Sequence, residues 1–404
     1  MLYDVAMSTV LGALMLRWWA IVAVAALDFG DQRRREPLVA SVIELPPVTV
    51  LIPAYNEAAV IEATVSSVLA SDLPQLRVVV IDDGSSDGTA DVVRNMGIAQ
   101  VSVLEMPKNG GKAAALRYGM ANTTDDVVIT VDADTRVATT CLPILVRTLI
   151  ARASDAVCAN VKVTNRAGAV GQWQSLEYIA GLNLDRRAQA RLRVITTVPG
   201  AAAAWRRAAV EAVGGFSSDT LAEDTDLTLA LLRTGRRIAF ADRAICYTEA
   251  PSTWSQLRRQ RLRWLHGNLQ CARKHSAAWW TPSPLRVRLL ALPNLWYAHL
   301  GSYLIYPLAI AWLFASRPAA DAVIALLIGA VVSIDLVIMA IAMRADREPL
   351  SALVHAPGQR LLYPAFLWSV FATVMVRVVL GRVTAWDKLE RLGAKRSAKL
   401  DDQR

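Results

Sequence analysis

The chain has 404 residues, 54% of them apolar, with a mean hydropathy of +0.32 and a formal net charge of +9. The apolar share is high for a soluble protein, and the length allows two or three domains. No zinc spacing or nucleic-acid motif accompanies the charge, which excludes nucleic acid as the partner and points to basic loops flanking apolar spans. Cys141, Cys158, Cys246 and Cys271 are scattered with no CxxC pair. That argues against a disulfide framework or a zinc site and suits a reducing compartment.

Residues 5–27 are long enough to cross a bilayer and only Arg17 interrupts them. With no small-residue cleavage site, residues 1–35 read as an anchor ending in the basic flank Arg33-Arg34-Arg35. The positive-inside tendency then makes the following domain cytoplasmic. Residues 36–47, with Pro37, Pro46 and Pro47, read as a linker.

From residue 46 strands and helices alternate. Val48–Pro53, Leu76–Ile81, Val101–Met106 and Val127–Val131 are short apolar runs separated by helical patterns, one of them from Glu57 to Ala70 and another from Ala113. This βαβαβαβ order predicts an α/β domain built on a parallel sheet with helices on both faces, over residues 46–275. Such sheets bind ligands at the carboxyl ends of their strands. Tyr55-Asn56-Glu57, Asp82-Asp83 and Asp132-Ala133-Asp134 all fall there. Beyond residue 150 the expectation is a strand over 156–163, a helix over 172–189, an Ala-rich segment from Pro199-Gly200, and a strand over 237–247.

Residues 276–292 mix Trp279, Trp280, Arg286 and Arg288 with leucines and prolines, as an interfacial segment does. Residues 293–381 hold about three candidate spans, at 293–316, 321–343 and 361–381. Asp335 and Arg377 lie inside the last two. Charges there mark functional sites, or the two pair between helices. The tail, 382–404, is basic. One span before the domain and three after it would put that tail outside, against the charge tendency.

The motifs carry specific chemistry. Asp132 and Asp134 offer hard oxygen ligands to Mg²⁺ or Mn²⁺, or are turn residues. Asp82 and Asp83 can accept from a base N–H or a ribose hydroxyl, or belong to a turn in which Asp87 and the serines cap a helix. Gly110-Gly111-Lys112 looks like a phosphate cradle at a helix N-terminus, although it departs from the P-loop pattern; otherwise Lys112 is a solvated lysine. Glu223-Asp224 opens a helix, where acids suit the dipole, and Asp224 can take a proton from an incoming hydroxyl. Gln260-Arg261-Leu262-Arg263-Trp264 then combines guanidinium groups for a departing diphosphate with an indole for a sugar ring.

The ordered set IPAYNE, DDGSSDGT, NGGKAAAL, DAD, AED and QRLRW, flanked by spans, resembles the membrane-integrated family-2 glycosyltransferases, which include cellulose, chitin, hyaluronan and poly-N-acetylglucosamine synthases. The resemblance covers residues 48–270 for the catalytic domain. It implies a GT-A, Rossmann-like fold, a UDP-sugar donor, a divalent metal and inversion to a β-linkage. Tyr55, Glu57, Asp82 and Asp83 would hold uridine. Lys112 and Asp132 would lie along the donor, and Asp132 and Asp134 would bind Mg²⁺ or Mn²⁺. Asp224 would be the general base. Gln260 and Arg263 would line the diphosphate, and Trp264 and Glu223 the acceptor. The family's pattern has Thr before Glu-Asp, where this chain has Ala222. Implied partners are a growing glycan or lipid acceptor, membrane lipids and an accessory export subunit, at a multi-pass cell-membrane location.

Overall fold

The computed structural model describes residues 16–17, 19–27, 44–304, 308 and 321–381. The expected anchor and the 293–316 span fall partly outside these residues. The Arg33-Arg34-Arg35 flank, most of the linker and the basic tail fall wholly outside them.

Eight strands form one sheet in the order β3-β2-β1-β4-β7-β6-β8-β5. They are β1 Val48–Ala54, β2 Leu76–Asp82, β3 Val101–Glu105, β4 Val127–Val131, β5 Thr135–Val137, β6 Ala156–Val163, β7 Ala202–Arg206 and β8 Ile238–Thr248. β3, β2, β1 and β4 pair in parallel as expected, because a helix between each consecutive two returns the chain. The sheet as a whole is mixed. β7 runs antiparallel to both β4 and β6, and the short β5 runs antiparallel to β8.

β7 lies within the Ala-rich segment, whose sequence does not read as a strand. Alanine has little strand preference of its own. Here Ala202, Ala203 and Ala204 are fully buried in the middle of the sheet. Trp205, next to the last residue of the strand, donates its indole N–H to Thr130 Oγ1 on β4 at 3.0 Å. Burial on both faces outweighs propensity.

The segment after β6 is a longer rod than expected. Gly168–Leu176 and Asp185–Leu192 are α-helical, and Glu177–Leu184 between them is a π-helix. The rod packs on residues 19–27 and on the helix Asp321–Ala345: Ile21, Val22 and Ala25 meet Ile179, Ala180, Ile338 and Met339. Arg17, read as an interruption, donates to Asn294 Oδ1 at 2.8 Å and sits 4.5 Å over the Tyr297 ring.

Among the described residues one helix, Leu350–Val379, is long and apolar enough to cross a membrane. Asp335 pairs with Arg360 near the start of that helix, not with Arg377 as one expectation had it. The segment expected to be interfacial forms two short turns, Ser276–Trp279 and Val287–Ala291. Trp280 is 90% exposed, and Leu285 and Leu289 are also exposed. The four cysteines are all buried and unpaired with one another.

Candidate functional site

A cavity of about 800 Å³ lies over the carboxyl ends of β1, β2 and β4. Of the residues named from the sequence, Tyr55, Glu57, Asp83, Lys112, Asp132, Asp134, Glu223, Asp224, Gln260, Arg263 and Trp264 line it together. Asp82 does not. Its carboxylate accepts from the Ser85 hydroxyl and, at 3.3 Å, from the Ser85 N–H, so it holds the turn after β2. Asp87 accepts from the Thr89 and Ala58 amides, each at 3.1 Å, but Gly88 and not Asp87 or a serine holds the cap position of the helix Thr89–Asn95.

The phosphate-cradle reading of Gly110-Gly111 needs correcting. Both amides donate to Asp83, at 2.7 and 2.8 Å. A carboxylate of the chain itself therefore occupies the anion position at the start of the helix Lys112–Ala121. Burial pushes the Asp83 carboxyl up, and the two amides partly offset that.

Lys112 is not a solvated lysine either. Its Nζ is 2.5 Å from Asp132 Oδ1 and 3.2 Å from Glu223 Oε1. Burial works against its charge, but Asp132, Glu223 and Asp224 outweigh it and hold the ammonium well above the ordinary lysine value. Lys112 thus ties the end of β4 to the start of the helix Glu223–Arg233.

Asp224 accepts from the Thr225 amide at 2.7 Å and from the Gly200 amide at 3.2 Å. Burial, reinforced by the neighbouring Glu223, raises its carboxyl to about 6, against the pull of Lys112 and the Thr225 amide. A carboxylate with that poise suits general-base work near neutral pH.

Gly200 carries no chemistry a motif would reveal, yet the site depends on it. A Cβ there would lie 2.3 Å from Lys112 Nζ and 3.4 Å from Asp132 Oδ2. Gly267 plays a similar part behind Ala222. A Cβ at 267 would come within 2.9 Å of Ala222, so the helix Trp254–His275 packs directly on the segment that leads into the base.

The QRLRW cluster divides its labour. Gln260, Arg263 and Trp264 face the cavity as expected. Arg261 forms a bidentate pair with Glu177 on the π-helix, at 3.0 and 2.7 Å, and lies 4.5 Å over the Trp264 ring. Tyr363 of the C-terminal helix donates to the same Glu177 at 2.8 Å. Glu177 sits in no motif, so nothing in the local pattern marks it.

Among the described residues no three His, Cys, Asp or Glu side chains form a ready-made metal cluster. Asp132 and Asp134 still supply two hard oxygen donors at the cavity wall. That fits a Mg²⁺ or Mn²⁺ ion that takes its remaining ligands from phosphate and water.

The model of the family described as "Glycosyltransferase like family 2" matches residues 46–267. The chain is 34% identical over 234 residues to the probable glycosyltransferase YdaM of Bacillus subtilis (strain 168), covering 56% of each chain. It is 31% identical over 229 residues to the poly-beta-1,6-N-acetyl-D-glucosamine synthase of Staphylococcus aureus (strain COL), again 56% of each. The chain therefore spans about half the length of the curated relatives it matches. In fold it is similar to the mannosyltransferase PcManGT of Pyrobaculum calidifontis, solved in complex with GDP-Man and Mn²⁺. The TM-score is 0.63 at 22% identity, over 91% of this chain and 99% of that one. A family match across more than half the chain, on a GT-A-like mixed sheet with its acidic residues gathered in one cavity, places this protein in glycosyltransferase-like family 2.

Proposed function

We propose that this chain is an inverting β-glycosyltransferase that moves a sugar from a UDP-sugar, UDP-GlcNAc or UDP-Glc, onto a glycan acceptor at the cytoplasmic face of a membrane. The observation that carries the reading is the Asp224 carboxylate, raised to about 6 and held by two amides beside the Lys112–Asp132 pair. The N-acetylglucosamine in the name of the Staphylococcus aureus relative supports the choice of donor.

In this reading Tyr55, Glu57 and Asp83 line the nucleoside end. Asp132 and Asp134 hold Mg²⁺ or Mn²⁺, which when bound neutralises diphosphate charge. Asp224 accepts the proton of the acceptor hydroxyl as that oxygen attacks the anomeric carbon. The bond from that carbon to the diphosphate oxygen breaks, and its electron pair leaves with UDP. Lys112, Gln260 and Arg263 steady the departing diphosphate. Glu223 and Trp264 border the acceptor. A single displacement needs one base and no covalent nucleophile, unlike the two carboxyl groups of a retaining glycosidase.

The multi-pass arrangement belongs to the same proposal, with residues 46–275 as the catalytic domain, 276–292 in the membrane interface and about three helices within 293–381 in the bilayer. So does processive extension and export of a polysaccharide, alone or with an accessory subunit. A second reading is a single transfer onto a membrane lipid. It draws on Leu295, Ala298, Tyr303 and Val370, which line the cavity where it reaches the C-terminal helices.

The test is nucleotide release by the purified protein in detergent with Mg²⁺ or Mn²⁺, across a panel of UDP- and GDP-sugars, with the product sized. UDP release with a long polymer supports the processive reading. A single sugar on a lipid supports the second reading. No release from any donor removes both.

A further inference from the structure

Gly181 sits in the middle of the π-helix Glu177–Leu184, a position where glycine is less favourable than alanine. None of the usual reasons for glycine applies. Its φ is outside the left-handed region, and the nearest heavy atom a Cβ would meet is Glu177 Cγ, at an ordinary 3.7 Å. Backbone strain and close packing are therefore both excluded. Gly181 is exposed, and what it faces is the cavity. Single π turns inside helices cluster at functional sites.

The surroundings define what fills the space. Glu177, Tyr178 and Asp185 lie one turn away on the same wall of the rod. The Arg261–Glu177 pair brings the helix carrying Gln260 and Trp264 up to that wall. Gln260 is 91% buried (9% relative exposure), and its Oε1 accepts no hydrogen bond among the described residues; Asn268 Oδ1 is in the same state. Both residues line the cavity. Buried amide oxygens without donors are costly unless a ligand supplies the hydrogen. Aromatic faces beside acceptor oxygens suit a sugar ring, which presents C–H surface and hydroxyl donors.

We propose that the wall around Gly181 is a sugar subsite for the acceptor glycan, and that position 181 is kept without a side chain to give that ring room. The inference rests on the glycosyltransferase reading and adds the subsite beyond the reacting hydroxyl. A growing polysaccharide and a lipid-linked glycan present the same rings.

The test uses the full chain in detergent and the series Gly181→Ala, Gly181→Ser and Gly181→Leu. Binding of an N-acetylglucosamine tetrasaccharide, of a short-chain glycolipid bearing the same sugar, and of UDP is measured by calorimetry, with Tm and product length alongside. The expected result is a glycan Kd that rises with side-chain volume, tenfold or more for Gly181→Leu. The UDP Kd stays within twofold, and the Tm of Gly181→Ala is at or above that of the parent. Whichever of the two glycans binds tighter identifies the source. A glycan Kd and product length that stay flat across the series overturn the subsite, as does a parent protein that turns over donor but binds neither glycan. Position-dependent glycan binding without turnover of any donor would instead keep the subsite and remove the catalytic reading. If Gly181→Leu does not fold, the Ala and Ser variants still decide between a rising and a flat series.

Discussion

Asp224 works as a base only when ionised, and burial together with Glu223 raises its carboxyl to about 6. Turnover is therefore expected to climb with pH through that value and to be about tenfold lower at pH 5 than on the plateau. A rate that is flat from pH 5 to 8 would remove Asp224 from the role. Asp224→Asn should lower kcat by about 10²–10⁴-fold while UDP binding persists. Lys112 pulls the Asp224 carboxyl down, so Lys112→Met should move the acidic limb of the profile to higher pH as well as lower the rate. Gly200→Ala acts on the same group by sterics. Its Cβ would displace Lys112 Nζ, so kcat should fall at least tenfold with little change in Tm, read from paired kinetic and melting measurements.

At the scale of elements, the loop after the helix Asp321–Ala345 is tied into the sheet by buried charge. Asp346 accepts from Asn183 at 2.7 Å and pairs with Arg187 at 3.2 Å, while Glu348 pairs with Lys162 at 2.7 Å and Arg166 at 2.6 Å. Truncating Asp346 to Ala strips one of two carboxylates from the buried Arg187, Asp242 remaining at 2.9 Å, and should cost about 1–3 kcal/mol, measured by denaturation in detergent. Although burial opposes its charge, the bonds from Arg166 and Lys162 lower Glu348 to about 2, from an ordinary 4.5. Its share of the docking is complete above pH 4.5 and is lost as the pH falls towards 2. The elements at the donor end were legible in advance, because parallel strands are continuous apolar runs and their polar ends are conspicuous. β7 was not, since its three alanines read as a strand only once both flanking strands are known to bury them. The amides of Gly110 and Gly111 carried the right motif, but its spacing could not reveal that Asp83 lies on them. Glu177 and Gly181 were hidden for another reason: they belong to the opposite wall of the cavity, which tertiary contact assembles and no local pattern announces.

For the whole molecule, the net charge of +9 and the exposed Trp280, Leu285 and Leu289 belong with the helix Leu350–Val379, the one of membrane-crossing length among the described residues. The protein is expected to float with liposomes and to stay with them through a high-salt wash, because burial of a helix in lipid, unlike a surface ion pair, is not screened. Release by salt alone would mean attachment by charge. The buried cysteines bear on how the molecule opens. Burial pushes Cys158 up to about 11 and Cys271 to about 12, and raises Cys141 and Cys246 as well, so each thiol is both shielded and protonated in the folded state. A disulfide reagent added to the native protein should react only as fast as the domain unfolds, which makes the appearance of thiols a clock for kinetic stability. It also leaves the surface free for a single introduced cysteine to carry a fluorophore.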